Sequence, residues 1–204
     1  MLTPYKTYFR RAPEAVARFF IRLGFSPNGI TLLGLVLGLL TCVFFIWNRN
    51  AVLFGILMIV WGLFDMVDGA AARITNQVTK FGSYLDAICD RVFESAAALA
   101  AAYVTGYWVL SFLIVVGVLL VSYAKARAAM EVNVSNSEWP DFMERTERDI
   151  TFAVGLILWG WFPAASFLGK DIFFWILTGL NIAVYGTLIQ RVLRAKRIIE
   201  ARQA

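Results

Sequence analysis

Residues 65–90 read DMVDGAAARITNQVTKFGSYLDAICD, and they place the carboxylates of Asp65, Asp68, Asp86 and Asp90 inside or beside membrane-spanning sequence. An ionisable side chain in hydrocarbon is costly, so its presence there indicates a functional site. The first two aspartates are three residues apart and the last two are four apart, so each pair lies on one helix face. We therefore predict two antiparallel helices whose facing carboxylates bind a polyvalent cation.

The composition around this stretch is that of a polytopic membrane protein. Of 204 residues, 60% are hydrophobic and 16% are charged, and the mean hydropathy is +0.69. Six apolar segments are each near the ~20 residues that cross a bilayer. We predict an all-α fold in a single domain over residues 1–204, with an N-terminal amphipathic helix in the membrane interface at 9–23. The predicted spans are at about 29–47, 51–71, 85–104, 107–128, 150–168 and 172–192.

The N-terminal segment is basic as well as amphipathic. Apolar residues recur there with helical spacing, at Val16, Phe19, Phe20 and Leu23, while arginines fall on another face. Such a helix lies in the interface against anionic lipid. The alternative interpretation is a basic arm in solvent.

The distribution of positive charge predicts the orientation in the membrane. Seventeen of the 19 Lys and Arg residues fall on one predicted side, and Arg49 and Lys170 fall on the other. By the positive-inside rule, both termini are cytoplasmic. The four aspartates then lie near the cytoplasmic surface of a multi-pass protein of the cell membrane.

The residue types restrict the chemistry of the site. The chain has no histidine, and its two cysteines, Cys42 and Cys89, lie in apolar surroundings. Carboxylates are therefore the predicted ligands, and they suit a hard cation such as Mg²⁺ or Mn²⁺. One or two such ions clamp phosphate oxygens, while Arg73 supplies a guanidinium for a diphosphate. An aspartate not fully committed to metal accepts a proton from an attacking hydroxyl.

The spacing resembles a known family signature. Asp65-x2-Asp68-Gly69-x2-Ala72-Arg73-x8-Gly82-x3-Asp86-x3-Asp90 matches the CDP-alcohol phosphotransferases at every defining position. The resemblance extends to Ser26-Pro27-Asn28-x2-Thr31 before the first span and to the six predicted helices. It therefore covers most of the chain.

The resemblance implies a role for each matching residue. Asp65, Asp68, Asp86 and Asp90 are the implied metal ligands, two ions are expected, and Asp90 also acts as the general base. Gly69 and Arg73 contact the nucleotide and diphosphate of a CDP-lipid, either CDP-diacylglycerol or CDP-archaeol. The same lipid substrate is expected to contact Asn28, Gly29, Ile30, Thr31 and Thr79. The implied reaction transfers the lipid phosphate to an alcohol and releases CMP, and the implied assembly is a homodimer among membrane lipids, without nucleic acid.

The acceptor alcohol is predicted from basic residues on the cytoplasmic side. Clustered guanidinium and ammonium groups suit an acceptor that carries its own phosphate. The pattern looks like the phosphatidylinositol-phosphate synthase branch, whose acceptor is inositol phosphate, and glycerol phosphate is the alternative. The matching positions are Lys125, Arg127, Arg145, Arg148 and Arg191. The competing interpretation is that these residues only set membrane topology.

The role of Glu94 and the class of protein each have an alternative interpretation. Glu94, four residues beyond Asp90, is either a structural polar contact or a part of the catalytic site. Intramembrane aspartates also mark cation transporters. A transporter would favour a carboxylate path across the membrane, whereas these acids cluster at one end.

Overall fold

A computed structural model describes residues 3–132 and 142–203, with side chains for residues 12–132 and 142–201. Within these residues the chain forms seven helices and a two-stranded antiparallel sheet. The elements are α1 Thr3–Arg22, α2 Pro27–Asn48, α3 Ala51–Ile74, α4 Lys80–Thr105, α5 Trp108–Glu131, α6 Arg145–Trp161, β1 Ser166–Phe167, β2 Lys170–Asp171 and α7 Ile172–Gln203. The all-helical class predicted from the sequence is confirmed, apart from this small hairpin.

Side-chain caps define where several helices begin. Ser26, Asn50 and Thr79 each accept a hydrogen bond from a backbone N–H three residues later, at 2.9–3.1 Å. These bonds satisfy donors that have no partner within the helix. At α6, Glu144 and Glu147 form a reciprocal capping box. The helices on either side of the four aspartates therefore have fixed ends.

Six helices form a closed ring. Along the ring, α2 contacts α3, α3 contacts α6, α6 contacts α7, α7 contacts α5, α5 contacts α4, and α4 returns to α2. The helix α1 packs outside this ring, against α3. The ring brings the start of α6 beside the end of α3, although the two are distant in sequence, and α4 begins after the short connector that follows α3.

Small residues allow the helix backbones to approach closely, as is common in membrane bundles. A Cβ on Gly55 would lie 2.6 Å from the carbonyl oxygen of Ala153, so α3 and α6 touch there. A Cβ on Gly38 would lie 2.8 Å from the Phe93 ring. The inner face of α4 is a buried run of alanines, at positions 97, 98, 100, 101 and 102.

The chain is a multi-pass membrane protein. Among the described residues, four helices are long and apolar enough to cross a bilayer, namely α2, α3, α5 and α7. The other two ring helices fall outside this set: α6 has only 17 residues, and α4 carries the charged residues Asp86, Asp90, Arg91 and Glu94 along its length. The predicted count of six spans therefore stays a prediction for α4 and α6.

The predicted fifth span, 150–168, differs from the observed helix at both ends. The helix begins at Arg145, where its capping box lies, and ends at Trp161. Pro163 disfavours helical backbone at Phe162, which has φ −122° and ψ 57°. The chain then turns through β1 and β2, so the connector to α7 is longer than the predicted Gly169–Asp171.

Some sequence predictions concern parts of the chain that the structure does not describe. The side chains of Lys6, Arg10, Arg11 and Arg202, which contribute to the charge count, lie outside the described residues, as do positions 133–141 of the predicted connector 129–149. The N-terminal helix is present as α1, and Ala17 on it is fully buried against the ring. Its position in the membrane interface stays a prediction.

The close contact at Gly55 can be tested with one methyl group. We expect Gly55→Ala to lower the thermal stability of the detergent-solubilised protein, because the new Cβ meets backbone at 2.6 Å; such overpacking costs about 1–3 kcal/mol. Gly179→Ala on α7 is the matched control, since a Cβ there has no neighbour within 4 Å among the described atoms. Equal melting temperatures for the two variants would contradict the packing assigned to α3 and α6.

Candidate active site

Three carboxylates converge where α3 and α4 face each other. Oxygen atoms of Asp65, Asp86 and Asp90 all lie within 4.8 Å of one another. Asp65 and Asp86 are half-buried, and Asp90 is only 8% exposed. The predicted juxtaposition of the two helices is therefore observed, with carboxylates from both in one cluster.

Asp68 lies beside this cluster and is held by neighbouring groups. Its Oδ2 accepts a hydrogen bond from Thr31 Oγ1 at 2.6 Å, and its Oδ1 accepts one from the Gly69 N–H at 2.5 Å. The Thr31 hydroxyl also contacts the Pro27 carbonyl oxygen at 3.2 Å. Asp68 thus ties the start of α2 to the end of α3.

A polar groove of about 430 Å³ opens on one side of Asp68. Five of the seven residues predicted to bind CDP-lipid line it, namely Asn28, Thr31, Gly69, Arg73 and Thr79, together with Asp68 and Asp86. Glycine at two positions keeps the groove open. A Cβ on Gly69 would lie 3.4 Å from Arg73 Nη1, and a Cβ on Gly82 would lie 3.2 Å from Asn28 Oδ1.

The remaining two predicted residues have different surroundings. Gly29 donates its N–H to the Ser26 cap, and Ile30 is 1% exposed in an apolar cluster with Val67 and Ala71. Ile30 lines a second, smaller cavity of about 70 Å³ on the other side of Asp68. That cavity also contains Asp65, Asp90 and Arg145, so the Thr31–Asp68 hydrogen bond separates it from the groove.

Arg145 brings a guanidinium into the carboxylate cluster. Its Nη1 contacts Asp90 Oδ2 and lies 3.2 Å from Asp65 Oδ2. Its Nε lies 2.9 Å from Glu94 Oε1 and 3.4 Å from Asp149 Oδ2. One predicted acceptor-binding residue is therefore in direct contact with the predicted base and one predicted metal ligand.

The other four predicted acceptor-binding residues are more dispersed. Arg148 is buried and donates to the Met143 carbonyl oxygen at 3.3 Å. Arg191 is also buried, and its Nη1 contacts the carbonyl oxygen of Val121. Arg127 is exposed and pairs with Glu131 at 2.5 Å, as surface residues four apart on a helix do, whereas Lys125 is half-buried. The structure thus brings Arg145 to the aspartates but gives Arg127 an exposed partner on its own helix.

Sequence reasoning misses two residues in this region. Asp149 lines the small cavity with Asp65 and Asp90, and Arg91 contacts Glu94 at 3.1 Å and Ser122 at 2.6 Å. The only sequence signal for Asp149 is its spacing of four from Arg145, which indicates a shared helix face. In the sequence, Arg91 counts as a topology signal alone.

The residues present fit a divalent metal. Three carboxylates within 4.8 Å would repel one another strongly unless a cation were shared between them, and oxygen ligands are those that Mg²⁺ and Mn²⁺ prefer. When bound, such an ion polarises phosphoryl oxygens and neutralises developing charge. Asp65, Asp86 and Asp90 are the side chains that would hold it, with Asp68 adjacent.

The family model for CDP-alcohol phosphatidyltransferase matches residues 25–189. The chain belongs to the CDP-alcohol phosphatidyltransferase family. Relatives of similar length agree with this membership. The archaetidylinositol phosphate synthase of Pyrococcus horikoshii is 31% identical over 98% of this chain and 99% of its own. The phosphatidylinositol phosphate synthase of Corynebacterium glutamicum is 31% identical over 89% of this chain and 83% of its own.

Solved structures from the CDP-alcohol phosphatidyltransferase family share the fold. The phosphatidylinositol phosphate synthase of Mycobacterium tuberculosis with CDP-DAG bound has a TM-score of 0.79 and 26% identity, over 91% of this chain and 94% of that one. The same enzyme in complex with manganese and citrate has a TM-score of 0.78 and 26% identity, over 90% of this chain and 88% of that one. The family resemblance and the transferase activity predicted from the sequence are confirmed, so the chain is an enzyme rather than a cation transporter.

The metal assignment can be tested without substrate. We expect Asp86→Asn to weaken Mn²⁺ binding by about tenfold or more, because one of three converging carboxylates loses its charge. Titration of the purified protein, with free Mn²⁺ measured by electron paramagnetic resonance, gives the affinity. Glu131→Gln, which removes a surface carboxylate, should bind like wild type. Unchanged affinity in Asp86→Asn would argue against a metal at this cluster.

Proposed function

We propose that this membrane transferase moves a phosphatidyl or archaetidyl group from a CDP-lipid to a hydroxyl of inositol phosphate, and releases CMP. One observation carries the proposal: a polar groove, a carboxylate cluster and a guanidinium meet at the facing ends of α3, α4 and α6. These are the parts needed for a nucleotide diphosphate, a divalent metal and a second anion, respectively. Relatives named for inositol phosphate products support this choice of acceptor.

The CDP-lipid is proposed to occupy the groove on the Asn28 side of Asp68. Arg73 would pair with diphosphate oxygens, since a guanidinium binds phosphate through two parallel hydrogen bonds. Gly69 would leave room for the nucleotide. Thr79 would donate a hydroxyl hydrogen bond from the start of α4, and Thr31, whose hydroxyl donates to Asp68, would line the groove. The bound CDP-DAG of the mycobacterial relative supports a lipid substrate of this class.

The chemical step is a displacement at the phosphorus that carries the lipid. An acceptor hydroxyl oxygen bonds to that phosphorus, the bond to the bridging oxygen of the diphosphate breaks, and CMP leaves with the electron pair. Asp90 is proposed to take the hydroxyl proton, because it is buried, close to Asp65 and Asp86, and next to the proposed acceptor site. Divalent ions, two by resemblance to the family, would stabilise charge on the phosphoryl oxygens.

The acceptor's own phosphate is proposed to bind the basic side chains at the start of α6. Arg145 is favoured because its guanidinium already contacts Asp65 and Asp90. Arg148 lies three residues further along α6, Arg191 lies on the adjoining α7, and both are buried. Glycerol phosphate would satisfy the same charges, so phosphatidylglycerophosphate synthesis is the second candidate. Lys125 remains in the proposed set, whereas the Glu131 pair makes Arg127 the weakest member.

The remaining proposals concern placement and assembly. The excess of Lys and Arg on one side favours a cytoplasmic active site and cytoplasmic termini. A homodimer is proposed from the family resemblance. The proposed reaction requires neither this orientation nor the homodimer, so either proposal can be wrong without affecting the reaction.

The role of Asp90 predicts a separation of binding from turnover. We expect Asp90→Asn to abolish CMP release, because the amide accepts no proton, while CDP-lipid binding in the groove persists. Turnover is measured by CMP release in detergent micelles with Mg²⁺, and binding by CDP-lipid titration on the same preparation. A near-normal rate in the variant would exclude Asp90 as the base.

The acceptor is tested by direct competition among candidate alcohols. With labelled CDP-lipid, we expect incorporation of inositol phosphate above that of glycerol phosphate, and little incorporation of serine or free inositol, because the guanidinium groups require an anion. Both CDP-diacylglycerol and CDP-archaeol should be supplied. Efficient use of free inositol or serine alone would contradict a phosphate-binding site. A preference for glycerol phosphate would show that glycerol phosphate, and not inositol phosphate, is the acceptor.

A further inference from the structure

Glu94 is a buried acid for which the reaction proposed above has no use. It lies four residues beyond Asp90 on α4, so it shares the face that carries the proposed base. Its side chain is only 9% exposed. A carboxylate buried so deeply is destabilising unless cations and hydrogen bonds surround it, so its partners show what it is for.

Three guanidinium groups surround Glu94, from two helices. Its Oε1 accepts hydrogen bonds from Arg91 Nη1 at 3.1 Å and from Arg145 Nε at 2.9 Å. Its Oε2 lies 4.0 Å from Arg148 Nη2 and has no hydrogen-bond partner among the described residues. Glu94 is therefore an ion-pair partner of Arg91, Arg145 and Arg148 together.

The unpartnered oxygen of Glu94 is buried, and so is Arg148 Nε, which also lacks a partner among the described atoms. Both residues line a small cavity of about 40 Å³ whose other walls are mainly apolar side chains of α3 to α7. The link between Glu94 and Arg148 is therefore an ion pair at 4.0 Å rather than a hydrogen bond.

The guanidinium group of Arg145 is held on two sides. Its Nε is held by Glu94, while its Nη1 contacts Asp65 and Asp90. Glu94 is the nearest partner of Arg145 Nε, at 2.9 Å against 3.4 Å for Asp149 Oδ2. Glu94 therefore orients the Arg145 guanidinium relative to the carboxylate cluster.

We propose that Glu94 is a positioning residue for the acceptor's phosphate. It holds the guanidinium groups of Arg145 and Arg148 in the arrangement that receives a phosphorylated alcohol, and Arg91 completes the set from α4. The inference rests on the proposed function, because it concerns the affinity of that acceptor. A carboxylate that only joined α4 to α6 would affect stability and would leave the acceptor's KM unchanged.

The test compares two Glu→Gln variants by steady-state kinetics with inositol phosphate and CDP-lipid. Glu94→Gln removes the charge that holds the guanidinium groups, and we expect it to raise the KM for inositol phosphate roughly tenfold. The KM for CDP-lipid should stay within about twofold of wild type, because Glu94 does not line the groove. Glu147→Gln is the matched control. It makes the same Glu→Gln change at an exposed residue at the same end of the bundle, and glutamine can still accept the hydrogen bond of the capping box.

A double-mutant cycle with Arg145→Lys separates positioning from a structural role. If Glu94 acts through Arg145, Glu94→Gln should raise the acceptor's KM much less in the Arg145→Lys background than in wild type. Glu94→Asp retains the charge on a shorter side chain, should fold even where Glu94→Gln does not, and should give an intermediate KM.

The possible results distinguish the two proposals. Normal incorporation of inositol phosphate by wild type, with an unchanged acceptor KM in Glu94→Gln and Glu94→Asp, overturns the inference about Glu94 alone. Equal KM increases in the wild-type and Arg145→Lys backgrounds also overturn it. No incorporation of inositol phosphate by wild type overturns the proposed function, and this inference with it.

Discussion

The structure depends on the burial of several carboxylates in a small apolar bundle. Asp65, Asp86 and Asp90 lie together where α3 faces α4, and each would be destabilising there without a compensating cation. The chain supplies part of that compensation itself through Arg145, which begins α6 and reaches back to the cluster. A divalent ion supplies the rest in the proposed reaction, and it also attracts the phosphate of the substrate. The same electrostatic requirement therefore shapes both the fold and the chemistry.

The ring of helices explains how residues so distant in sequence meet. Because α3 is adjacent to α2 and α6, its C-terminal half contacts Thr31 on one side and Arg145 on the other. The Thr31–Asp68 hydrogen bond separates the groove proposed for CDP-lipid from the cavity that contains Asp65, Asp90 and Arg145. In the proposed reaction, the two substrates would approach the carboxylate cluster from opposite sides of this bond. Away from the cluster, close packing at Gly55 holds α3 against α6, and close packing at Gly38 holds α2 against α4.

Local spacing in the sequence is enough to predict the helices and the paired aspartates, and the family resemblance implies most of the residues that line the groove. Residues three or four apart share a helix face, and a hairpin of two such helices brings Asp65 near Asp86. Contacts between distant helices are not predictable in the same way. The five basic residues look equivalent in the sequence, yet Arg145 contacts Asp90 whereas Arg127 pairs with Glu131 on its own helix. Likewise, Asp149 has no clear sequence signal, because only the packing of α6 against α3 places it beside the aspartates.

The central claim is that one carboxylate cluster holds a divalent metal against the diphosphate of a CDP-lipid in the adjacent groove. The most direct measurement is ³¹P electron–nuclear double resonance on the protein loaded with Mn²⁺ and CDP-lipid. Because Asp68 and Asp86 line the groove and Asp86 also belongs to the cluster, we predict phosphorus hyperfine coupling to the bound Mn²⁺. Mn²⁺ bound at these aspartates with CDP-lipid also bound but no phosphorus coupling would contradict the account.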